Sequence, residues 1–255
     1  MQVIIIGAGR GARLMPATED APKCFAEVAD RRILDWTSAA LGENGLDKIC
    51  FIGGYRIEKV RAHYPHFEFR HNDRWPDNNI LASLFYAEDR MDGPFICCYS
   101  DILFNANVVR SLMASDADIA LGVDTAWMDR YEHRSEHPTG DAEKVCVENG
   151  CVTQIHRDLH DGHAHGEFIG VAKFSAAGAA RLKAAYHDCR KRHSGKPFRE
   201  APVFEKAYFI HLLQEMLENG VSMAHVDTPG GYIEIDTQQD LDYARENWVS
   251  NHLQN

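Results

Sequence analysis

Val3-Ile4-Ile5-Ile6-Gly7-Ala8-Gly9-Arg10-Gly11-Ala12-Arg13, continued as far as Pro22-Lys23-Cys24-Phe25, is the stretch on which the fold of this chain turns. Val3 to Ile6 is apolar at every residue, the pattern of a strand buried on both faces of a parallel sheet. Glycines begin where that strand ends. Gly7, Gly9 and Gly11 can take positive φ, which lets several backbone N–H groups turn toward one anion. Arg10, Arg13 and Lys23 add cations within the same loop. A triphosphate carries about four negative charges, and fixed amides together with Arg and Lys neutralise such a group. The loop is expected to hold a nucleotide's phosphates.

Two other glycine motifs compete for these residues. Gly7-x-Gly9-x-x-Ala12 fits the dinucleotide fingerprint, which also needs a second strand ending in Asp or Glu about 20 residues on. Phe25 to Arg32 occupies that place, directly after Pro22-Lys23, so a nicotinamide oxidoreductase is disfavoured. A Walker A loop requires Gly-Lys-Ser/Thr, which is absent here. A plain strand-to-helix turn would explain the glycines but not the two arginines and the Pro-Lys that follow.

GAGRGARLMPATEDAPKCF, Gly7 to Phe25, resembles the signature loop of the nucleotidyltransferases that join a nucleoside triphosphate to a phosphorylated small molecule. The chain looks most like their CTP-dependent branch, the phosphocholine and phosphonate cytidylyltransferases. Asn78-Asn79-Ile80, Tyr99-Ser100-Asp101, Gly166 to Gly170 and Glu234-Ile235-Asp236-Thr237 recur in order, so the likeness runs along nearly the whole chain. It implies a Rossmann-like α/β fold with a mixed, mostly parallel sheet, and Mg²⁺ held by Asp101 and Asp236. It further implies nucleotide contacts from Gly7, Ala8, Gly9, Arg10, Gly11, Arg13, Lys23, Gly54, Asn78, Asn79, Ser83 and Ser100. Lys23, Arg10, Asp101 and Asp236 would carry the chemistry.

With 255 residues the chain is long enough for one α/β domain, and a single nucleotidyltransferase domain over 1–255 is expected, with an acceptor-side insertion at about 124–165. The net charge of −11 argues against nucleic acid or an anionic membrane surface as partner. CTP and a small phosphorylated or phosphonylated acceptor are the expected partners, and the sequence leaves a homodimer open. No apolar run reaches the length of a spanning helix, and Gln2 to Gly7 reads as a strand instead of a leader, so a cytoplasmic location is the default. Seven cysteines without a CxxC pair read as reduced thiols, mostly buried.

Further along, Ile33–Leu41 has helical spacing, Lys48–Ile52 reads as a second buried strand and Ile57 to His63 as a short helix, the rhythm of a doubly wound sheet. Phe67–His71 is a strand leading through a polar loop into a helix over Ile80–Asp89. Asn78 and Asn79 are good N-caps; with Ser83 they also suit the edge of a pyrimidine, because amides donate and accept together. The family likeness places the base there. Pro94–Tyr99 is a strand that delivers Ser100-Asp101 at its carboxyl end, where open α/β sheets gather ligands. An Asp there could also serve only as a helix cap.

Asp118–Val123 is a further strand, and Asp124 to Asp141 is too long and polar for a simple connection, so it reads as a lid. In it Trp127 and Tyr131 lie near Asp129 and Glu132, a combination that attracts ammonium groups, though anchoring the lid is an equal alternative. Arg134 and Lys144 are assigned to the acceptor's phosphoryl end, and Glu167 to its amine or hydroxyl. Val145–Val152 is a hairpin around Asn149-Gly150. His156-x-x-x-His160-x-x-His163-x-His165 matches no standard zinc spacing, and zinc is not expected there. Gly166–Phe174 is a strand, Ser175–Arg192 a helix, Val203–Leu217 a helix with Phe204, Tyr208, Leu212, Leu213 and Met216 as its core stripe, Ser222–Val226 a strand, and Gln238 toward Trp248 a closing helix capped by Thr237 or Asp236.

The reaction these residues would serve is CMP transfer from CTP to the acceptor's phosphoryl or phosphonyl oxygen. Rival readings are a sugar-1-phosphate nucleotidyltransferase using another triphosphate and a noncatalytic nucleotide-binding regulator. Asn78-Asn79, in place of the Gly-Leu-Ala often seen in sugar enzymes, argues against the first, and the presence of both Asp101 and Asp236 against the second.

Overall fold

In the computed structural model, which describes residues 1–132 and 134–252, the opening apolar run becomes β1 (Gln2–Gly7), fully buried from Val3 to Ile5. A small ribbon, β2 (Glu27–Val28) with β3 (Arg31–Arg32), precedes α1 (Ile33–Gly42). Then follow β4 (Ile49–Gly53), α2 (Ile57–His63), β5 (Glu68–His71) and α3 (Ile80–Leu84). β6 (Phe95–Tyr99), β7 (Ile102–Phe104), α4 (Ala106–Ala114) and β8 (Ile119–Asp124) complete the first half. The second half holds α5 (Trp127–Tyr131), β9 (Lys144–Glu148), β10 (Cys151–His156), β11 (Gly166–Phe174) and α6 (Ala176–His193). It closes with α7 (Phe209–Glu218), β12 (Ala224–Thr228), β13 (Tyr232–Glu234) and α8 (Gln238–His252).

Among the described residues, nine strands form one sheet in the order β5-β4-β1-β6-β11-β8-β12-β10-β9. The first four run parallel, as continuous apolar strands with helical crossovers must. β11 then enters antiparallel between β6 and β8, β12 returns parallel to β8, and the β9–β10 hairpin closes the far edge while β9 also pairs with the start of β11. The sheet is therefore mixed, parallel in the half that holds β1 and largely antiparallel in the other. The hairpin turns at Asn149 and Gly150, both at positive φ, as the Asn-Gly signal predicts. It extends the main sheet through its pairings with β12 and β11.

Apolar residues pack on both faces of the sheet. One layer joins Ile4, Ile6, Phe95, Phe174 and Leu182 with α7, and the other joins Val3, Ile5, Phe51, Leu34 and Val109. Register matters most for the site: Gly7 is level with Gly53, and Ile6 with Tyr99, so three neighbouring parallel strands end together. Their carboxyl ends make a shelf, and the site stands on it.

Two helices are shorter than the sequence suggests. The segment expected as one helix over Ile80–Asp89 is α3 followed by a 3₁₀ turn, Phe85–Arg90, with Ala87 outside helical geometry. Phe85 stacks on Tyr186 of α6 at 3.4 Å, a tertiary contact that outweighs continued helical spacing. The helix expected over Val203–Leu217 starts only at Phe209; Phe204–Lys206 is a separate 3₁₀ turn. Tyr208, at that break, is half-buried, packs against the core and also lines the cavity described below.

Candidate active site

A cavity of about 570 Å³ opens above the shelf, within the range of small-ligand sites. Gly7, Ala8, Gly9, Gly11 and Arg13 line one side, with Lys23, Ser100 and Asp101 at the floor. The loop is shaped by contacts only glycine allows. A Cβ on Gly7 would fall 2.6 Å from both the Phe51 ring and the Ser100 hydroxyl. Gly11 takes φ +69°, and its carbonyl accepts from the Thr18 hydroxyl at 2.8 Å. This folds the loop back so that the Lys23 stem lies against Gly11.

Lys23 is buried, and its Nζ donates to Asp101 Oδ2 at 2.8 Å and to the Asp236 carboxylate. The two acids, 135 positions apart by numbering (236 − 101), thus meet on one ammonium. Asp101 comes from the end of β6. Asp236 follows β13, whose ribbon with β7 places Glu234 opposite Ile102. Arg13 Nη2 also reaches Asp236 Oδ2 at 2.6 Å. Burial alone would lower the Lys23 pKa, but the Asp101 and Asp236 carboxylates outweigh it and raise it above the ordinary lysine value. Burial pushes Asp236 up, yet Lys23 and Arg13 hold it below the usual carboxylate range. Glu234 is pushed well above that range, by burial and then by the Asp236 and Glu167 charges. The pocket floor therefore has carboxylate to spare.

Sequence reasoning missed the residues that complete this floor. His137, buried in the segment after α5, has Nδ1 3.7 Å from Asp236 Oδ2 and Nε2 3.8 Å from Glu234 Oε2. Asp240 Oδ2 accepts from the backbone N–H of Asp236 at 3.0 Å and of Thr237 at 2.8 Å, which fixes the direction of Asp236. A carboxylate four residues into a helix-start motif reads as capping in sequence, and it is that; the cap also positions a site residue.

Asn78, Asn79 and Ser83 all line the cavity. Asn79 caps α3, accepting from Ile80 N–H at 2.9 Å. Asn78 exchanges two bonds with Asn72, 2.8 and 3.0 Å, and Asn72 also donates to Ser83 Oγ at 2.8 Å. A fully buried amide thus orients both neighbours at the cavity wall. Gly54 does not line the cavity; Tyr55 N–H donates to Ala8 O at 2.9 Å there, and a Cβ on Gly54 would lie 2.6 Å from the same carbonyl. Its role is to let the two loops touch. Arg10 is likewise outside the lining: its exposed guanidinium sits over the Tyr55 ring, 5.4 Å from the centroid, the aromatic face within its reach.

Of the residues expected to face an acceptor, Glu167 lines the cavity, but Trp127, Tyr131, Arg134 and Lys144 do not. Trp127 and Tyr131 are buried together with Ala142, so they anchor the segment. Tyr131 donates through its hydroxyl to Glu167 Oε1 at 2.9 Å, from behind the wall, and Arg130 pairs with both Asp124 and Glu167. Arg134 is spent on Asp240 at 2.7 Å and on the Glu234 carbonyl at 3.2 Å. Lys144 donates to the Arg157 carbonyl at 2.6 Å and pairs with Asp161. The physical reasons are two: the five-residue helix turns Trp127 and Tyr131 inward although its stretch is polar, and the buried cations Arg134 and Lys144 take carboxylates and carbonyls beside them as partners. The wall is built instead from Tyr99, Glu143, Arg157, Phe168 and Tyr208. Arg157 lies over the Tyr208 ring at 4.0 Å and reaches Glu143 Oε1 at 3.3 Å, while Tyr99 donates to Glu143 Oε2 at 3.1 Å. Burial raises Glu143, only partly offset by Arg157.

No protein-family model matches the chain. The CTP:phosphoglutamine cytidylyltransferase of Campylobacter jejuni is 28% identical over 254 residues, covering 95% of this chain and 98% of that protein. A UTP–glucose-1-phosphate uridylyltransferase of Haloferax volcanii is 26% identical, over 96% of each chain. Among solved structures, the CTP:phosphocholine cytidylyltransferase of Streptococcus pneumoniae superposes with a TM-score of 0.73 at 19% identity, over 96% of this chain and 97% of that one. The likeness extends from end to end, in sequence to cytidylyl- and uridylyltransferases and in fold to a cytidylyltransferase.

Proposed function

We propose that this chain is a nucleotidyltransferase that moves CMP from CTP to a phosphoryl or phosphonyl oxygen of a small acceptor and releases pyrophosphate. The observation that carries the reading is the meeting of Lys23, Asp101 and Asp236 at the cavity floor, against the glycine loop. The acceptor oxygen, ionised near neutral pH, forms the new bond to the α-phosphorus. The bond from that phosphorus to the bridging oxygen breaks, and pyrophosphate leaves with the electron pair. No proton has to move.

Two anions must approach, so charge and alignment dominate the barrier. The amides of the Gly7–Gly11 loop and Arg13 would hold the β- and γ-phosphates; Lys23 would meet charge building on the α-phosphate. Ser83 and the Asn78 amide, held by Asn72, would read the base edge. Asp101 and Asp236 suit Mg²⁺: hard carboxylate oxygens beside a third acid, Glu234, whose pKa is pushed well above the usual range by burial and then by the Asp236 and Glu167 charges. When bound, that ion supplies screening between the two anions and a fixed alignment.

For the acceptor, Glu167 and Glu143, the latter shared with Arg157, beside the faces of Tyr99 and Phe168 would favour a cationic nitrogen at the far end, as in phosphocholine or 2-aminoethylphosphonate. A second reading, a sugar 1-phosphate acceptor with another triphosphate, draws on the end-to-end match to the uridylyltransferase. Pyrophosphate release measured for each of four triphosphates against phosphorylated amines, phosphonates and sugar 1-phosphates separates them. Turnover is expected with CTP and an amine-bearing acceptor. Turnover confined to UTP or dTTP with a sugar phosphate would replace this reading, and CTP binding with no turnover in any pair would leave a regulator.

A further inference from the structure

The histidine-rich stretch from His156 to His165 does not gather into one cluster. His156 is taken by Glu200, at 2.5 Å, while His160 and His163 keep their rings 5.2 Å apart in a 3₁₀ turn. His165 leaves them for a different strand. Its Nε2 lies 2.9 and 3.0 Å from the two oxygens of Asp227, and Asp227 Oδ1 is 2.7 Å from His225 Nδ1. The two imidazoles stand 4.8 Å apart at 71°.

We infer that His165, His225 and Asp227 form a binding site for one divalent transition-metal ion of the zinc type, separate from the nucleotide cavity. The ligand atoms of the three side chains all lie within 4.8 Å of one another. A tetrahedral ion with bonds of about 2.0–2.1 Å keeps its ligand atoms roughly 3.3 Å apart. The nitrogen-to-oxygen separations of 2.7 to 3.0 Å are slightly tighter, so small side-chain rotations admit the ion in place of the shared hydrogen bonds.

The backbone beneath is rigid. His225 and Asp227 alternate by two on β12 and so project on one side, and β12 is held in register with β8 over five residue pairs. His165 is pinned where β11 begins by its own N–H, bonded to the Val145 carbonyl at 2.8 Å. Solvent reaches the cluster, with 33% of the His165 side chain and 38% of Asp227 exposed, which leaves room for water as a fourth ligand. Two imidazoles and one carboxylate favour zinc, nickel or copper over magnesium or calcium. The carboxylates at Asp101 and Asp236 favour the opposite, and none of the three residues lines the cavity. Glu167 lies two residues beyond His165, so a bound ion would join β12 to the strand that carries one wall of the active site.

The test is titration of untagged, metal-stripped full chain with Co²⁺ alone, read by visible absorption, and with Zn²⁺ alone, read by calorimetry and thermal unfolding. One equivalent per chain and a raised Tm are expected. His225→Ala and Asp227→Asn should each weaken binding at least tenfold, and His160→Ala should leave it unchanged. His165→Cys should keep Co²⁺ and add a thiolate-to-cobalt charge-transfer band, a signal that a misfolded variant cannot produce. Absence of saturable binding, or binding that survives both His225→Ala and Asp227→Asn, would overturn the site. The first result would leave the three residues as a plain ion-pair cluster.

Discussion

Lys23 is the residue on which the site's electrostatics close. Its ammonium is the common partner of two carboxylates delivered by different strands, and the stem that carries it rests on Gly11. Donors aimed at developing charge in a cavity of this kind are worth about 10²–10³ in rate. Lys23→Ala is expected to lower kcat by that factor, measured as pyrophosphate release under saturating CTP, with a much smaller change in CTP affinity. Gly11→Ala acts on the same contact indirectly. It places a Cβ 3.0 Å from the Lys23 stem at φ +69°, which costs about 1–2 kcal/mol of left-handed strain. A lower Tm together with at least tenfold slower turnover is expected, whereas Gly9→Ala, with no neighbour within 4 Å, should keep the wild-type Tm. The glycine loop and Lys23 were legible from the arginines and the Pro-Lys that accompany the glycines, whereas Asp101, which alone reads as a helix cap, and Asp236 were singled out only through the family likeness. Trp127, Tyr131, Arg134 and Lys144 were not, since composition cannot tell which side of a short polar segment faces the core. Tyr208 was hidden by a helical spacing that its own chain interrupts.

At the scale of elements, strands were easier to read than helix ends. β1, β4 and β6 follow from apolar runs and β11 from alternation, whereas α3 and α7 begin or stop where tertiary partners decide. At the start of α7, His211 Nδ1 accepts from the Tyr208 backbone N–H at 3.3 Å, and Nε2 lies 3.1 Å from Glu200 Oε2. Burial lowers the His211 pKa from 6.5 to about 4, overcoming the favourable charge of Glu200. The folded chain therefore binds this proton less readily than the unfolded chain does. Stability from the neutral imidazole is intact above about pH 6.5, falls as pH drops toward 4, and does not change further below that. His211→Gln, which does not titrate there, is expected to flatten the loss. Denaturant midpoints at pH 7 and pH 5 should differ less in the variant than in the wild type. An equal pH response in both would mean that other groups govern it. Tyr208, one residue before α7, lines the cavity, so the same substitution should also raise KM for the acceptor more than it lowers kcat.

The whole molecule is acidic, with net charge −11, yet its proposed substrates are anions. The conflict is resolved by placement. The parallel half of the sheet presents the loop amides with Arg13 and Lys23, while the acids of the antiparallel half, Glu143 and Glu167, stand across the cavity. Such a division makes the two substrates distinguishable by where they stabilise the fold. CTP at about 100 times its Kd adds about 2.7 kcal/mol to the folded state, and for a chain of this length each kcal/mol moves Tm by roughly 2–4 °C. A rise of roughly 5–10 °C is expected with CTP and Mg²⁺, and none with NAD. Because fixed charges supply much of that binding, and screening shortens from about 10 Å at 0.1 M salt to about 3 Å at 1 M, the rise should shrink at high ionic strength even at constant CTP. Hydrogen exchange with CTP alone should slow in the Gly7–Lys23 loop and at the end of β6, and leave β9 and β10 unchanged. Protection that appeared first in the hairpin would put the nucleotide in the wrong half of the cavity, and with it the assignment of Lys23.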